Sequence, residues 1–563
     1  TKLQKWFADK HITLSDLKRR GFVTLADNIA QIVMVTTPNS LKYLKFAGGL
    51  SEKNIKQWAA HTDGTFGVVK WDQPTRFFHG EMVQSSYQLL NTLPLTEEEV
   101  HSLLQPSIDY VALLRKDTDF MRYHFSDAFA REKDGDEEHI DGLAERADVI
   151  FTLLHNYPHF DETALYANFR DDVVRSLKDR LKRGHILLNG TNATLFGNGP
   201  ELLKYLAGEE MSPELQPDQV RCERFADGAK LLCARSPHIT MGNLYCAENA
   251  LGGGIWDYFD LGENIVCVNA IGENIQQRLN GCDYDSDTML ITDDALLVSA
   301  AERYNGTFKV PVCNIQAEVK TEQTLAALDH DTSVNKIGEI VNLSQKLNSI
   351  LWDELHNGAD EQEIHSIYSD ICKLAVLSGL EIDKAKHTFE NIRVSKELTA
   401  LRKKYARPSP QFFTEIDERK TKQYAFYHTA MDYLYAQVKK LHFRKGREQC
   451  GDYRPISSNL AYDISSGNAT EYRHKNKIVA IIDESKAAVN RLYQAIRTAD
   501  EQERKVLYAQ IADIKKERDK QVSKWLTNEN VLILVLRHYE KNSAADWRIY
   551  AALINHPIFS EFL

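Results

Sequence analysis

The sequence predicts an α+β protein in which a small barrel or compact sheet is set among helical regions. Two observations lead there. Residues 185–320 hold the stretches HILLNGTNATLFGNG, AKLLCARSPHITMGN, ENIVCVNAIG, DTMLITDD and TFKVPVCNI, short apolar runs punctuated by Gly, Asn and Pro. On either side, apolar residues recur every third or fourth position, in DGLAERADVIFTLLHNY and DDVVRSLKDRLKRG before and in SVNKIGEIVNLSQKLNSILWDEL and DEQEIHSIYSDICKLAVLSGL after.

Taken in order, residues 1–105 are mixed. NIAQIVMVTTPNS and GTFGVVKW read as short strands, and EMVQSSYQLLNTL as a strand or the start of a helix. Residues 106–184 read as a helical connector that Gly184 caps. Residues 185–325 form the strand-rich domain, with GPELLKYLAGE as a short helix between strands. Residues 326–453 are mainly helical, interrupted at ARPSPQFF. In residues 454–563, RPISSNLAYDISSGNAT is a long connector. After it, the run from Lys477 to Leu526 is one long helix or a helical hairpin. A chain of 563 residues exceeds one core, so three or more domains are expected. The chain opens on Thr1 rather than Met, which leads us to expect a preceding portion of the same protein.

Apolar content of 43% and charged content of 26% are those of a soluble globular protein. No run of about 18 apolar residues indicates a membrane span, and the first residues lack a signal-peptide core. The eight cysteines form no CxxC pair, which argues against a zinc ribbon and for reduced thiols in a cytoplasmic protein, or a nuclear one in a eukaryote. Net charge is −11, yet residues 401–450 hold 12 Lys/Arg against 5 Asp/Glu, so a basic surface on an acidic protein is compatible with the sequence. Solvated helix faces explain such a run equally well.

The stretch RLNGCDYDSDTMLITDD carries the chemistry. Asp283, Asp285 and Asp287 alternate with Tyr284 and Ser286, directly before an apolar run. Three carboxylates this close repel unless a cation sits among them. With no His or Cys ligand pattern beside them, they call for a hard ion: Mg²⁺, Mn²⁺ or Ca²⁺. An EF-hand would need Gly and Glu where Thr288 and Asp294 stand, and a helical flank. A glycosyltransferase- or phosphatase-type DxD and a solvated acidic turn are further alternatives. A catalytic Mg²⁺ site acting on phosphates, with Mn²⁺ as the alternative ion, fits best.

NGCDYDSD resembles the metal-binding loop of two-barrel RNA polymerases, whose usual form is DxDGD. The family includes the eukaryotic RNA-dependent RNA polymerases of RNA silencing and single-chain phage and bacterial polymerases. LLCARSPHITMGN upstream resembles the family's Arg-x-Pro strand. NKIGEIVNLSQ, ICKLAVLSGLEIDKAKHTF and RPSPQFF downstream follow in the silencing-polymerase order. The resemblance runs from about residue 185 to 413. It implies double-psi β-barrel catalytic domains with large helical connector and head regions: part of a first barrel in residues 1–105, the second barrel in 185–325, a helical bridge in 326–453 and a head in 454–563. It implies a template-dependent RNA polymerase, joining ribonucleoside triphosphates to an RNA 3′-hydroxyl on a DNA or RNA template.

By the same resemblance Asp283, Asp285 and Asp287 hold the metal, and Arg235 meets the nucleotide's ribose. Lys70, Lys45 and Lys42 are candidates for the triphosphate and Asn280 for the sugar. Lys386 is the candidate for the template, with Asp383 beside it in the recurring pair. The basic stretch would follow the template backbone. Ser286 stands where the family has Gly, Phe66 where it has Lys, and Gly281 where an Asn is frequent. The Ser286 and Phe66 departures motivate the alternative of a catalytically degenerate polymerase scaffold that binds nucleic acid or partner proteins. His238 reads as structural, and the aromatic run QYAFYHTAMDYLYAQV as core or as a surface for stacking bases.

Overall fold

A computed structural model describes residues 1–62, 75, 77–125, 143–157, 159–315, 318–319, 335–384, 387–388, 392–416, 423–442, 467–496, 499, 501–543 and 546–562. The chain divides into two compact units, Thr1–Ser107 with Arg180–Lys440, and Ile108–Asp179 with Leu441–Leu563.

The main sheet of the first unit has seven strands among the described residues: β1 (Met82–Gln84), β2 (Leu187–Phe196), β3 (Gln219–Arg221), β4 (Lys230–Ala234), β5 (Tyr245–Asn249), β6 (Ile265–Val268) and β7 (Thr288–Thr292). Six of them close a ring in the order β2-β6-β3-β5-β4-β7, because β7 pairs back onto β2, and β1 adds to β2 outside it. The α+β class with a closed barrel is therefore what the fold shows. Two ring pairs are parallel, β2–β6 and β3–β5, and the others antiparallel. Closure removes open sheet edges from the ring. It turns the alternate residues Ala193, Leu195, Leu231, Cys233, Tyr245, Ala247, Met289 and Ile291 into one buried core.

β2 makes closure possible. Its ten residues pair with β1 over Leu187–Asn189, with β7 over Gly190–Thr194 and with β6 over Thr194–Phe196. Where it passes from one partner to the next, the backbones crowd: a Cβ on Gly190 would lie 2.4 Å from the Ile291 carbonyl oxygen. Only glycine fits there.

Against one end of the barrel pack helices Ile337–His356, Glu361–Asp383 and Val394–Lys404, around Ile340, Leu347, Ile350, Ile371 and Leu374 together with Ile239 and Met241. A buried polar seam fixes this contact. Gln345 and Asn348 donate to the carbonyls of His238 and Ile239, each at 2.9 Å, and Asn91 donates to Gln345 and Ser349. The N-terminal helix Lys2–Asp9, opened by a Thr1–Gln4 capping box, buries Trp6 and Phe7 against Leu203 and Leu206 of helix Gly199–Ala207.

In the second unit, helices Ala469–Ile496 and Glu501–Trp525 form a hairpin around Val489, Ile496 and Ile511, which decides between the two expectations for that run. Helix Glu529–Ser543 buries Val531, Leu532, Ile533, Leu534, Val535 and Leu536 in succession, so it is enclosed on all sides.

Two expected strands are absent. NIAQIVMVTTPNS forms 3₁₀ turns at Ile29–Gln31 and Pro38–Ser40, and Val33 and Met34 are exposed. TFKVPVCNI contains no strand: Phe308 turns into the helical core, and Pro311 has no N–H for a ladder. EMVQSSYQLLNTL supplies both alternatives, β1 and then helix Tyr87–Leu90, with Ser86 as N-cap. Gly184 does follow the end of helix Ala164–Lys182 with φ +84, the left-handed conformation a C-cap needs. GTFGVVKW lies outside the described residues. No helix among the described residues is long and apolar enough to cross a membrane.

Candidate metal centre

The acidic loop joins the short helix Ile275–Arg278 to β7. Asn274 caps the start of this helix, and Asn243 holds its end, donating to the Gln277 and Arg278 carbonyls at 3.2 and 2.9 Å. The chain then reverses through Asn280 (φ +54) and Gly281 (φ +72). Cys282 drops into the barrel core, where burial pushes its thiol up to about 11, and so anchors the loop's root. From that anchor Asp283 and Asp285 stand exposed, and Asp287 is half-buried at the mouth of β7. The Asp287 carbonyl accepts from Leu195 N–H at 2.8 Å, which extends the β2–β7 ladder to the third carboxylate.

The carboxylates are held partly by the loop's own backbone. Asp283 N–H donates to Asp287 Oδ2 at 2.8 Å, and Asp285 N–H to Asp283 Oδ1 at 3.3 Å. One oxygen from each aspartate lies within 4.8 Å of the other two. A hydrogen bond shared with Asp285 pushes the Asp283 carboxyl above its usual range, with partial burial and the neighbouring charges adding to it. A divalent cation would relieve that repulsion, and three carboxylates without imidazole or thiolate suit Mg²⁺ or Mn²⁺. The loop is not an EF-hand, because strand β7 follows it directly.

Ser286 has φ +106, the left-handed side of backbone space that favours glycine. The turn expected of a glycine is thus made with a serine.

Arg235 follows β4, whose register with β7 carries it toward the loop. Its Nη2 lies 2.7 Å from Asp287 Oδ2, and Nη1 donates to the carbonyls of Asn280 at 3.0 Å and Leu279 at 3.3 Å. The guanidinium therefore ties the two ends of the acidic loop together. Asn280 is turned away from the triad and donates to the Pro237 carbonyl at 2.6 Å. Lys42 reaches Asp285 at 3.3 Å as an exposed pair, which solvent screens. Lys45 falls in the helical turn Tyr43–Phe46, and its side chain lies outside the described residues, as do Lys70, Lys386 and Phe66. Asp383 ends helix Glu361–Asp383. His238 is buried, and burial pushes its imidazole down to about 4, toward the neutral form.

In the basic stretch, Arg402, Lys404 and Arg407 are ion-paired with Glu339, Asp370 and Glu354. In the aromatic run Tyr427 and Tyr435 are core, and Phe426 is exposed.

Nothing in the spacing of the sequence marks Asn243 or Tyr284. The Tyr284 ring lies over Gly197, where a Cβ would meet it at 3.1 Å, so the turn after β2 shapes the loop's flank. The pair Gly197 and Tyr284 is far apart in sequence and becomes visible only once β2 and β7 are paired.

No family model matches the chain, and no curated protein matches it. Among solved structures it is similar to the RNA dependent RNA polymerase QDE-1 from Thielavia terrestris, with a TM-score of 0.42 and 14% identity over 85% of this chain. The chain spans 57% of that protein's length.

Proposed function

We propose that the chain is a template-dependent RNA polymerase that joins ribonucleoside triphosphates to an RNA 3′-hydroxyl, with release of pyrophosphate. The observation that carries this reading is the cluster of three carboxylates at the mouth of β7 in a closed barrel, tied by Arg235 just past the end of the neighbouring β4. A divalent cation held by Asp283, Asp285 and Asp287 would stabilise charge on the reacting phosphate and activate the attacking hydroxyl. The chain's own residues set the geometry. Asp283 and Asp287 are fixed by backbone N–H groups and by Arg235. Arg235 has five N–H donors and commits three of them to the loop, which leaves donors for a ribose 2′-hydroxyl. Lys42 is exposed beside Asp285, within reach of an approaching triphosphate.

The test is extension with Mg²⁺ and four ribonucleotides on single-stranded DNA and single-stranded RNA in parallel, with Asp285→Asn as control. Incorporation on one template, lost in the variant, supports the polymerase and names its template. The scaffold reading draws on Ser286 at a glycine conformation. Template binding without incorporation on either strand would favour it.

A further inference from the structure

Beside the barrel, and separate from the acidic loop, lies a cavity of about 220 Å³ whose lining includes Arg278, Tyr304, Asn305, Phe308, Lys309 and Trp352. Its walls are aromatic: Tyr304 packs edge-on to Trp352 at 5.2 Å between centroids, and Phe308 edge-on to Trp352 at 5.9 Å. Two of its lining residues carry donors without acceptors among the described residues. Trp352 is 6% exposed and its indole N–H has no partner, and neither does the buried Nε of Arg278.

Arg278 is a half-buried cation with few polar partners. Its guanidinium lies on the Tyr245 ring at 4.9 Å, and its one side-chain hydrogen bond among the described residues is a long one, 3.3 Å, to the Asn305 amide oxygen. No carboxylate among the described residues pairs with it, whereas Arg235, Arg303 and Arg407 each have one. A partly desolvated positive charge without a counter-charge is costly, and so is a buried indole N–H without an acceptor. A ligand whose acid group meets Arg278 and whose ring face or second acid oxygen accepts from the indole N–H would compensate both.

We infer that this cavity binds a small aromatic anion, one ring bearing a carboxylate or a phosphate, with the acid group on Arg278 and the ring among Tyr304, Phe308 and Trp352. The volume limits the ligand to that size, since pockets for drug-sized ligands measure about 300–1,000 Å³. Asn305 and Lys309 are exposed and mark the solvent end, with Lys309 adding positive charge for an incoming anion. The inference stands independently of the reading of the acidic loop.

The test is isothermal titration of the full chain with benzoate, phenyl phosphate and inorganic phosphate. Saturable binding of an aromatic acid is expected, with Kd between roughly 10 μM and 1 mM. The better of benzoate and phenyl phosphate identifies the acid group. Arg278→Gln should weaken binding about tenfold or more, as one charge-assisted hydrogen bond is lost. Asn305→Tyr, an exposed position that carries little folding risk, should block the mouth and weaken binding to a similar degree. Inorganic phosphate binding as tightly as phenyl phosphate would overturn the aromatic part. Absence of saturation for both aromatic acids, or unchanged affinity in Asn305→Tyr, would overturn the site.

Discussion

Removing the Arg235 guanidinium should loosen the acidic loop from its root. In Arg235→Gln the loop loses the 2.7 Å contact with Asp287 and the two bonds to the Leu279 and Asn280 carbonyls. The two charged side chains are 14% and 24% exposed, so solvent screens the pair only in part. A hydrogen bond to a charged partner is worth about 1.5–3 kcal/mol and a neutral one about 1, of which a glutamine amide restores a part, so a loss of about 2–3 kcal/mol is expected. Asp287→Asn should cost less, because an amide oxygen can still accept from Asp283 N–H and one repelling charge is gone. If the pair itself is responsible, the double variant should cost about 1–2 kcal/mol less than the sum of the two. Cys282 is a local reporter, buried at the loop's root and reactive only when the root opens. Its alkylation rate, resolved from the other cysteines by peptide mass spectrometry, should rise roughly 30- to 150-fold in Arg235→Gln, since each 1.4 kcal/mol is tenfold. Cys233, buried within β4, serves as the internal control. A rise of less than threefold at Cys282, or an equal rise at Cys233, would refute the brace.

Gly190→Ala should cost about 3 kcal/mol or more, because the 2.4 Å approach to the Ile291 carbonyl leaves no room between two paired strands; a urea midpoint close to that of the parent would count against it. Ser286→Gly should stabilise the acidic loop by roughly 1 kcal/mol by relieving φ +106, less what glycine gains in the unfolded chain, and slow Cys282 alkylation accordingly. Asp432 accepts N–H bonds from Gln411, Phe412 and Tyr427, yet burial outweighs them and pushes its carboxyl up to about 6. A carboxyl raised in the folded state contributes stability that is present below about pH 4 and lost as pH rises through about 6, by an order of roughly 3 kcal/mol at most. Asp432→Asn should therefore gain on the parent between pH 4 and pH 7, and a stability difference independent of pH would count against that ionisation.

The chemistry of the candidate site was legible in the sequence, and its mechanics were not. Alternating aspartates before an apolar run announce a cluster of carboxylates because like charges at that spacing need a reason. The barrel was legible as class but not as connection. β2, β4, β6 and β7 are apolar enough to stand out, whereas the three-residue β3 and the alternating, partly polar β5 are defined mainly by the strands they pair with. Val33 and Met34 misled because β-branched and apolar residues favour a strand only where a partner strand exists; among the described residues this segment has none, and it packs Ile29, Ile32 and Val35 on the N-terminal helix instead.

The same distinction separates Asp287 from Arg235. An aspartate's place in the cluster follows from its neighbours in the chain, so sequence suffices. Arg235 lies 52 positions before Asp287, and only the antiparallel register of β4 with β7 brings the two together. Sequence likeness assigned Arg235 to a ribose, and the fold adds a task that precedes any substrate: it joins the carbonyls at the loop's start to the carboxylate at its end. That brace also bears on Ser286. A serine at φ +106 is tolerable where the surrounding contacts over-determine the turn, and the Arg235 bonds, the Cys282 anchor and the Leu195–Asp287 ladder bond close the loop on both sides of it. The departure from glycine and the reinforced loop are thus two aspects of one arrangement. Strain at Ser286 should therefore matter most when Arg235 is removed, so that Ser286→Gly recovers more of the loop's stability in Arg235→Gln than it adds to the parent.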